Sequence, residues 1–557
     1  MSEKVSDFIL ARLREWGVDK VFAYPGDGIN GILGAFGRAD NSPKFIQARH
    51  EEMAAFEAVG YAKFTGKVGV CMATSGPGAI HLLNGLYDAK LDHVPVVAIV
   101  GQTSRSAMGG QYQQEVDLIS LFKDCCHEFD QMATVPEQFP NLIDRAIRVA
   151  LTTRSPTCII VPSDLQELEY SAPEHAFKQV PSSVGFVEPE LVADDAALRE
   201  AADILNSGVK VAMLVGQGAR GAASEIGEVA ELLGAGVAKA LLGKDVVSDE
   251  LPYVTGSIGL LGTRPSYELM AGCDTLLTVG SSFPYTQFLP EFGQARAVQI
   301  DADGSMVGLR YTNELNIVAD AKAALRALIP LLERKSDRSW RETVEQNVKR
   351  WWEVMEREAL VESGQGDMVN PMRVVHELSP RIPLNAIVSS DSGSAANWYA
   401  RHLKIRGEIL GSLSGNLATM GPGVPYAIGA KFGHPDRPVI ALVGDGATQM
   451  NGMAELITIA HYYEEWDDPR LVVCVFHNND LNQVTWEMRA MSGSPKFPES
   501  QTLPDVSYAG FARSLGLHAL EVGKDDDLAD AWSEALSADR PSLLDVRTDP
   551  NLSLIHI

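Results

Sequence analysis

The sequence has little of several features that define other protein classes. Six of its 557 residues are cysteine, and the adjacent pair Cys125 and Cys126 fits no zinc-binding spacing. So few, scattered cysteines predict reduced and mostly buried thiols in a cytoplasmic protein. No apolar run approaches the length of a membrane span, and Met1–Leu10 carries two acids where a signal peptide would be apolar. We therefore expect a cytoplasmic protein without an integral membrane segment.

Basic residues are also scarce relative to acidic ones. The chain has 47 Lys and Arg against 73 Asp and Glu, a formal net charge of −26. Nucleic acids and anionic membranes both need a basic face, so neither is expected as a partner. Apolar and charged contents of 45% and 22% are those of a globular protein. The length is too great for one hydrophobic core, and three domains are a natural division.

The most informative stretch is Pro438–Asp480. An apolar run, Val439–Val443, leads into Gly444-Asp445-Gly446, and a helical pattern then extends from Ala447 towards Tyr463. A second apolar run, Leu471–Phe476, ends in His477-Asn478-Asn479-Asp480. This pattern predicts a strand, a tight turn, a helix and a second strand.

The two strands should deliver oxygen ligands to one place. Ligands of open α/β sheets bind at the carboxyl ends of the strands, and the turn after the first strand holds Asp445 between two glycines. One aspartate, one asparagine and a main-chain carbonyl form an all-oxygen half-shell that suits Mg²⁺. A plain βαβ unit with a glycine turn is the alternative, and it would be favoured if the GDG motif stood alone. His477-Asn478-Asn479 also leaves the metal-binding asparagine uncertain by one residue.

The fold class is predicted to be α/β, with three doubly wound parallel-sheet domains. Strands and helices alternate in the first part of the chain, and the segment around Ser75-Gly76-Pro77-Gly78 has the same strand, glycine turn and helix as the GDG segment. This similarity suggests that the first and third domains share a fold. The predicted divisions are a first domain, a central domain, a helical connector and a third domain, spanning 1–175, 190–330, 331–369 and 370–557.

The central domain carries a glycine pattern of its own. A strand over Val209–Val215 leads into Gly216-x-Gly218-x-x-Gly221, which fits a dinucleotide-binding turn at the start of a helix. The next strand ends without an acidic residue for a ribose, so Asp301, after the strand Val298–Ile300, is the better candidate. A purely structural glycine turn is the alternative.

Together these motifs resemble those of the pyruvate oxidase family, which depends on thiamine diphosphate (ThDP) and FAD and includes pyruvate dehydrogenase (quinone). The chain resembles acetolactate synthase more distantly. The segments that carry the resemblance to the pyruvate oxidase family are RHEEMAAFEAVGYA, SGPGAIHLLNGLYDA, GSSFPYTQF, VQIDAD, LATMGPGVPYAIGA and the GDG–NN unit. The resemblance implies decarboxylation of a small 2-oxoacid, pyruvate by default, with ThDP, Mg²⁺ and FAD as cofactors. It also implies a homodimer or homotetramer with ThDP sites between subunits.

The resemblance assigns roles to particular residues. Glu51 matches the glutamate that hydrogen-bonds N1′ of the ThDP pyrimidine, while Gln114 and Glu487 match active-site residues. Met420 matches the apolar residue that holds ThDP bent. Asp445, Asn478 and the main-chain carbonyl of Asp480 match the Mg²⁺ ligands. The complete set implied to bind a cofactor is Met420, Gly444, Asp445, Gly446, Asn478, Gly216, Gly218, Gly280, Phe283 and Asp301.

Each of the main assignments has a simpler alternative. Glu51 could be a favourable charge at a helix N-terminus, Met420 a core side chain, and Glu487 a solvated charge. The chain also departs from pyruvate oxidases at two positions, where Gln113 and Gln483 replace aromatic residues near the flavin. The leading hypothesis is a ThDP- and FAD-dependent oxidase or dehydrogenase. A non-oxidative carboligase and a non-catalytic assembly subunit are the alternatives.

Overall fold

The computed structural model describes residues 3–363 and 368–552, and these form three β-sheets of six strands each with helices packed on them. Neighbouring strands pair in parallel in all three sheets. The predicted fold class, three parallel-sheet α/β units, is therefore confirmed. No helix among the described residues combines the length and the apolar character that crossing a bilayer requires.

The first sheet and its helices come from the N-terminal part of the chain. Its strands are β1 Lys20–Ala23, β2 Lys44–Gln47, β3 Gly69–Ala73, β4 Val96–Gln102, β5 Asp130–Met132 and β6 Pro156–Pro162. Its helices are α1 Val5–Glu15, α2 Asn30–Arg38, α3 Glu51–Thr65, α4 Pro77–His81, α5 Leu83–Leu91, α6 Leu118–Phe122, α7 Phe139–Thr153 and α8 Ser163–Gln166.

The second sheet follows an extended stretch. Its strands are β7 Val211–Val215, β8 Gly236–Lys239, β9 Val254–Ser257, β10 Thr275–Val279, β11 Arg296–Asp301 and β12 Leu315–Val318. Its helices are α9 Asp195–Ser207, α10 Ala223–Leu233, α11 Arg264–Gly272 and α12 Ala321–Leu328, and the long helix α13, Ser339–Ala359, comes after them.

The third sheet is built from the C-terminal part. Its strands are β13 Ile387–Ser390, β14 Leu410–Ser412, β15 Val439–Gly444, β16 Leu471–His477, β17 His518–Val522 and β18 Ser542–Arg547. Its helices are α14 Pro371–Leu378, α15 Ser394–Arg401, α16 Gly423–Gly433, α17 Asp445–Ala447, α18 Met453–Tyr462, α19 Asn482–Glu487, α20 Pro498–Gln501, α21 Tyr508–Ser514 and α22 Leu528–Ser537.

The order of strands distinguishes the second sheet from the other two. The first sheet runs β2-β1-β3-β4-β6-β5 and the third runs β14-β13-β15-β16-β18-β17, which is the same order when each sheet is numbered from its own first strand. The second sheet runs β12-β11-β10-β7-β8-β9, the doubly wound order of dinucleotide-binding domains. The suggested kinship of the first and third units is therefore borne out, and the second sheet has the topology that its glycine pattern requires.

The central strands form because they are continuous apolar runs. All residues of β4 and β16 are buried, as expected for parallel strands covered by helices on both faces. In the third sheet β15 and β16 are in register, with Leu442 opposite Cys474. This register brings the residues that follow the two strands, including Asp445 and Asn478, to one edge. All six cysteines are free thiols buried in the structure, as predicted.

The first and third sheets are held together by the helices α3 and α16. A Cβ added at Gly429 of α16 would lie 2.2 Å from the main-chain oxygen of Glu57, and one at Gly60 of α3 would lie 2.6 Å from the Cα of Tyr426. Only glycine allows the two backbones to come this close. The contact fixes the first domain's α3, which begins at Glu51, relative to the third sheet.

Two carboxyl groups meet at the same junction. Glu57 is fully buried and Glu455 of α18 is also buried; Oε1 of Glu455 accepts a hydrogen bond from the main-chain N–H of Arg49 at 2.9 Å. Burial first, and then the charge of Glu455, raises the pKa of Glu57 well above its ordinary value. As carboxylates, the Glu57 oxygens and Glu455 Oε2 have no hydrogen-bond donor among the described residues. A proton held by one of the two carboxyl groups would supply such a donor to the other.

Local structure differs from expectation in two ways. The helical stretch predicted from Ala447 towards Tyr463 is interrupted by a π-helical turn, Thr448–Gly452, between α17 and α18. Five strands at sheet edges, β5, β9, β12, β14 and β17, and the inner strand β18, were not predicted. Four of the five edge strands are partly exposed, so their apolar pattern is weak, whereas β9 is buried but contains only one large apolar residue.

Candidate active site

One large cavity connects the second and third sheets. Its volume is about 1690 Å³, and it lies where loops after β7, β10 and β11 face loops after β13, β15 and β16. A cavity of this size exceeds that of an ordinary small-molecule site. Every residue that the sequence predicts to bind a cofactor lines it: Met420, Gly444, Asp445, Gly446, Asn478, Gly216, Gly218, Gly280, Phe283 and Asp301.

Asp445 at the third sheet's edge is held by three main-chain hydrogen bonds. Its Oδ2 accepts hydrogen bonds from the main-chain N–H groups of Asn478 and Asn479 at 2.9 and 2.6 Å, and its Oδ1 accepts one from Gly446 at 2.8 Å. Burial raises the pKa of the Asp445 carboxyl to about 6, although the three N–H donors oppose this effect. The hydrogen bonds join the turns after β15 and β16, so the carboxylate has a fixed orientation.

The structure distinguishes the two adjacent asparagines. Asn478 lines the cavity, and its Oδ1 accepts a hydrogen bond from the main-chain N–H of Asp480 at 3.0 Å. Asn479 has the left-handed φ of 54°, and its Oδ1 instead contacts His477 Nε2 at 2.8 Å. The left-handed turn therefore sends the two side chains in different directions, and only Asn478 reaches the cavity together with Asp445.

Asp480 also lines the cavity, but its carboxylate is occupied. The carboxylate accepts a hydrogen bond from Thr485 Oγ1 at 2.9 Å and forms an ion pair with Lys496 Nζ at 2.8 Å. The donor set that remains at this edge is the Asp445 carboxylate, the Asn478 amide oxygen and the Asp480 main-chain carbonyl. An all-oxygen set of this kind fits Mg²⁺, which completes its shell with water and phosphate oxygens.

Met420 belongs to a turn that is held by Asp391, a residue that sequence reasoning missed. The Asp391 carboxylate accepts hydrogen bonds from the main-chain N–H groups of Gly421, Gly423 and Ser392 at 2.9, 2.8 and 2.9 Å. Asp391 follows β13, the neighbour of β15, and burial raises its pKa to about 6. Its place directly after the short apolar segment that forms β13 is the signal in the sequence that could have indicated it.

The second sheet contributes glycine turns on two adjacent strands. Gly218 donates its N–H to the main-chain oxygen of Gly280 at 3.0 Å, which joins the loops after β7 and β10 at the point where strand order reverses. A Cβ at Gly216 would lie 2.3 Å from that oxygen, so the approach requires glycine. Asp301 ends β11, and burial raises the pKa of its carboxyl. Glycines at the switch point followed by an acid fit a dinucleotide.

Glu51 and Gln114 lie elsewhere, around the turn after β3. Glu51 is the first residue of α3 and is buried; its Oε2 lies 2.9 Å from His81 Nδ1. Gln114 adopts a left-handed φ of 62° and accepts a hydrogen bond from Ser75 Oγ at 3.2 Å. Neither residue lines the cavity that contains Asp445. The chain thus presents two separate groups of predicted site residues, here called half-sites, one at the first sheet and one at the third.

Two histidines, His50 and His81, lie beside Glu51. His50 caps α3, with its Nδ1 accepting the N–H of Glu52, and the rings of His50 and His81 are 4.4 Å apart between centroids. His50 therefore has a structural role as the helix cap, while His81 contacts Glu51 directly and is partly exposed.

The three sheets and the two half-sites define a class of α/β enzyme that binds a phosphorylated cofactor at the edges of its sheets. Comparison with known protein families identifies that class. Three models match: the N-terminal thiamine pyrophosphate (TPP)-binding domain at 3–121, the central domain at 198–328 and the C-terminal TPP-binding domain at 391–546. The chain belongs to the thiamine pyrophosphate enzyme family.

Curated relatives cover nearly the whole chain. It is 36% identical over 534 residues to the putative thiamine pyrophosphate-containing protein YdaP of Bacillus subtilis, covering 96% of this chain and 90% of that protein. It is 29% identical to the pyruvate oxidase of Lactiplantibacillus plantarum (96% and 87% covered). It is 31% identical to the acetolactate synthase isozyme 2 large subunit of Escherichia coli (98% and 95% covered). The resemblance drawn from the sequence is confirmed. The percentage identities do not distinguish an oxidase from a carboligase, because they are similar for both kinds of relative.

Proposed function

We propose that this protein is a ThDP- and Mg²⁺-dependent enzyme that decarboxylates a 2-oxoacid, with pyruvate as the default substrate, and transfers electrons through FAD to oxygen or a quinone. The overall reaction converts the 2-oxoacid, water and the oxidised acceptor into a carboxylic acid, CO₂ and the reduced acceptor. The observation that carries the proposal is the single cavity that the second sheet's glycine turns share with Asp445 and Asn478.

In this proposal Asp445, the Asn478 amide oxygen and the Asp480 carbonyl hold Mg²⁺ and, through it, the diphosphate. Gly444 and Gly446 leave space for the diphosphate beside the carboxylate. Met420, fixed by Asp391 through the turn, supports the bent cofactor. Bound ThDP would supply a nucleophilic carbon that attacks the 2-oxo group. The protein's task is to position it, exclude water and manage protons.

Glu51 is proposed to act from a second subunit. Its carboxyl would hydrogen-bond the pyrimidine ring and hold or release a proton there. Within one chain Glu51 is separated from the Asp445 cavity, while large apolar side chains beside both half-sites are exposed: Ile80, Tyr112, Met450 and Met491. A second copy of the chain would cover them and bring unlike half-sites together, giving two sites at one isologous interface. A homodimer, or a homotetramer built from it, follows.

FAD is proposed for the part of the cavity formed by the second sheet. The strand order, the Gly216–Gly218 turn and Asp301 are the features of a dinucleotide site, and Phe283 lines the same wall. Bound flavin would supply two-electron redox chemistry at this place. Glu487 and Gln114 are proposed to handle protons and bind the substrate. A cytoplasmic location is part of the proposal and is supported by six buried, unpaired thiols.

A carboligase of the acetolactate synthase type is the second candidate, because the chain is as similar to acetolactate synthases as to a pyruvate oxidase. The purified protein, supplied with ThDP and Mg²⁺, would be tested with pyruvate in two assays. One follows reduction of an artificial electron acceptor together with the visible absorption of bound flavin. The other measures acetolactate. Acceptor reduction with a flavin spectrum supports the proposal, whereas acetolactate without acceptor reduction contradicts it in favour of the carboligase.

A further inference from the structure

A row of polar side chains forms part of the cavity wall next to the proposed ThDP site. It comes from α15 and α19 and consists of Ser394, Asn397, Asn482, Gln483 and Glu487. Asn397 Nδ2 donates a hydrogen bond to Gln483 Oε1 at 2.8 Å, and Gln483 Nε2 donates one to Glu487 Oε1 at 2.9 Å. Gln483 therefore connects a buried amide on one helix with the proposed proton-handling acid on the other.

Gln483 is held at both ends of its amide group. Its donor Asn397 is 4% exposed, so the Asn397–Gln483 hydrogen bond is sheltered from water. A glutamine amide offers two N–H donors and two acceptor lone pairs. One donor and one lone pair are used by the two hydrogen bonds, and one of each is left for a ligand. The group is thus pre-organised to make a hydrogen bond without losing the ones it has.

The position of this amide matters for what the site accepts. Gln483 lies five residues after Asn478, and both side chains line the same cavity as Met420 and Phe283. An aromatic or aliphatic side chain at this position would form an apolar wall suited to a methyl group, whereas the Gln483 amide presents hydrogen-bonding groups to the cavity. An apolar substituent placed against Gln483 would displace water and leave amide groups unpaired.

Resting on the proposed function, we infer that Gln483 is a specificity-determining residue that selects 2-oxoacids with a hydroxyl group on the carbon next to the keto group. The hydroxyl can donate to the free lone pair of the amide oxygen or accept its free N–H. The hydrogen bond from Asn397 fixes the Gln483 amide, and the hydrogen bond from Gln483 holds Glu487 beside it. Sites built to hydrogen-bond a hydroxyl discriminate strongly against the analogue that lacks it.

Hydroxypyruvate and 2-oxobutyrate form the test pair, because they have equal numbers of non-hydrogen atoms and differ by hydroxyl against methyl. CO₂ release with ThDP and Mg²⁺ gives kcat/KM for each. We expect the wild type to favour hydroxypyruvate by about tenfold or more. Gln483→Met, which keeps the side-chain length, should remove or reverse this preference. Gln131→Met, on the exposed edge of the first sheet, is the matched control and should leave the ratio unchanged.

A binding measurement supplies a readout that does not depend on turnover. Trp486 lies three residues after Gln483 on α19, so its fluorescence should report ligands at this wall. Glycerate and 2-hydroxybutyrate, the reduced and unreactive analogues, would be titrated into the ThDP-loaded protein. The wild type should bind glycerate more tightly, and Gln483→Met should lose the difference. If that variant does not fold, Asn397→Leu, which releases the amide, should weaken the preference in both assays.

The outcomes separate this inference from the proposed function. CO₂ release with equal kcat/KM for the two acids, or a ratio that Gln483→Met leaves unchanged, would overturn the inference and leave the decarboxylase intact. A wild-type preference for 2-oxobutyrate would do the same. If no 2-oxoacid releases CO₂ from the ThDP-loaded protein, the proposed function fails and the inference fails with it.

Discussion

Mixing two inactive variants tests whether the half-sites of different chains combine. Glu51→Gln removes the proposed proton-handling carboxyl from the first-sheet half-site, and Asp445→Ala removes the only charged Mg²⁺ ligand from the third-sheet half-site. Each variant alone should lose activity by orders of magnitude. In a hybrid dimer one site receives both changes, while the other combines an unchanged Glu51 with an unchanged Asp445.

The activity expected after mixing follows from the separation of the two half-sites. The close packing of α3 on α16 holds Glu51 away from the cavity of its own chain, so an intact site needs unchanged half-sites from two chains. Random exchange of equal amounts makes about half of the dimers hybrids, each with one intact site in two, so activity should return to about a quarter of wild type. As the proportion f of one variant changes, activity should follow f(1 − f).

The assay is CO₂ release from pyruvate after subunit exchange, with native mass spectrometry to count hybrids. A mixture of Glu51→Gln with the double variant Glu51→Gln/Asp445→Ala is the matched control, because every site in its hybrids lacks Glu51 and should remain inactive. Hybrids without activity at any mixing ratio would refute the shared site and place a complete site in each chain. Activity in the control mixture would refute the role of Glu51.

Three further predictions concern single positions. Asp445→Ala should abolish ThDP retention in titration calorimetry with Mg²⁺, and an affinity equal to that of wild type would remove this residue from the metal site. Asp391→Ala leaves two buried and one half-buried main-chain N–H group without an acceptor, so it should lower the free energy of unfolding by about 2–4 kcal/mol in urea and weaken ThDP binding through the Met420 turn; unchanged values in both measurements would contradict that role. Because the pKa of Glu57 is raised, its protonated form stabilises the folded protein, and that stability is lost as pH rises from 4.5 through the raised value. Glu57→Gln supplies a permanent donor to Glu455 and should raise the free energy of unfolding by about 1–3 kcal/mol at pH 8 and much less at pH 5; an equal effect at both pH values would show that no shared proton is involved.

The sequence alone determined the central strands and the chemistry at their ends. Continuous apolar runs such as Leu471–Phe476 identify strands buried on both faces, and the groups that follow a parallel strand must lie at the sheet's carboxyl edge. Asp445 and Asn478 could therefore be assigned to one place before any contact was known. The short edge strands such as β5 were missed because half-covered strands carry little apolar pattern.

Only the tertiary structure decided which of these edges meet. Strand order and the glycine contacts between α3 and α16 depend on residues hundreds of positions apart, so the local pattern of apolar residues does not predict them. Contacts between distant parts of the chain also place loops of the second and third sheets around one cavity, which Glu51 does not line. The left-handed backbone at Asn479 leaves Asn478 as the asparagine that lines the cavity. The hydrogen bonds that Asp391 accepts from the Met420 turn became visible only in the structure. A side chain's type is written in the sequence, but its direction and neighbours arise from backbone geometry and long-range packing.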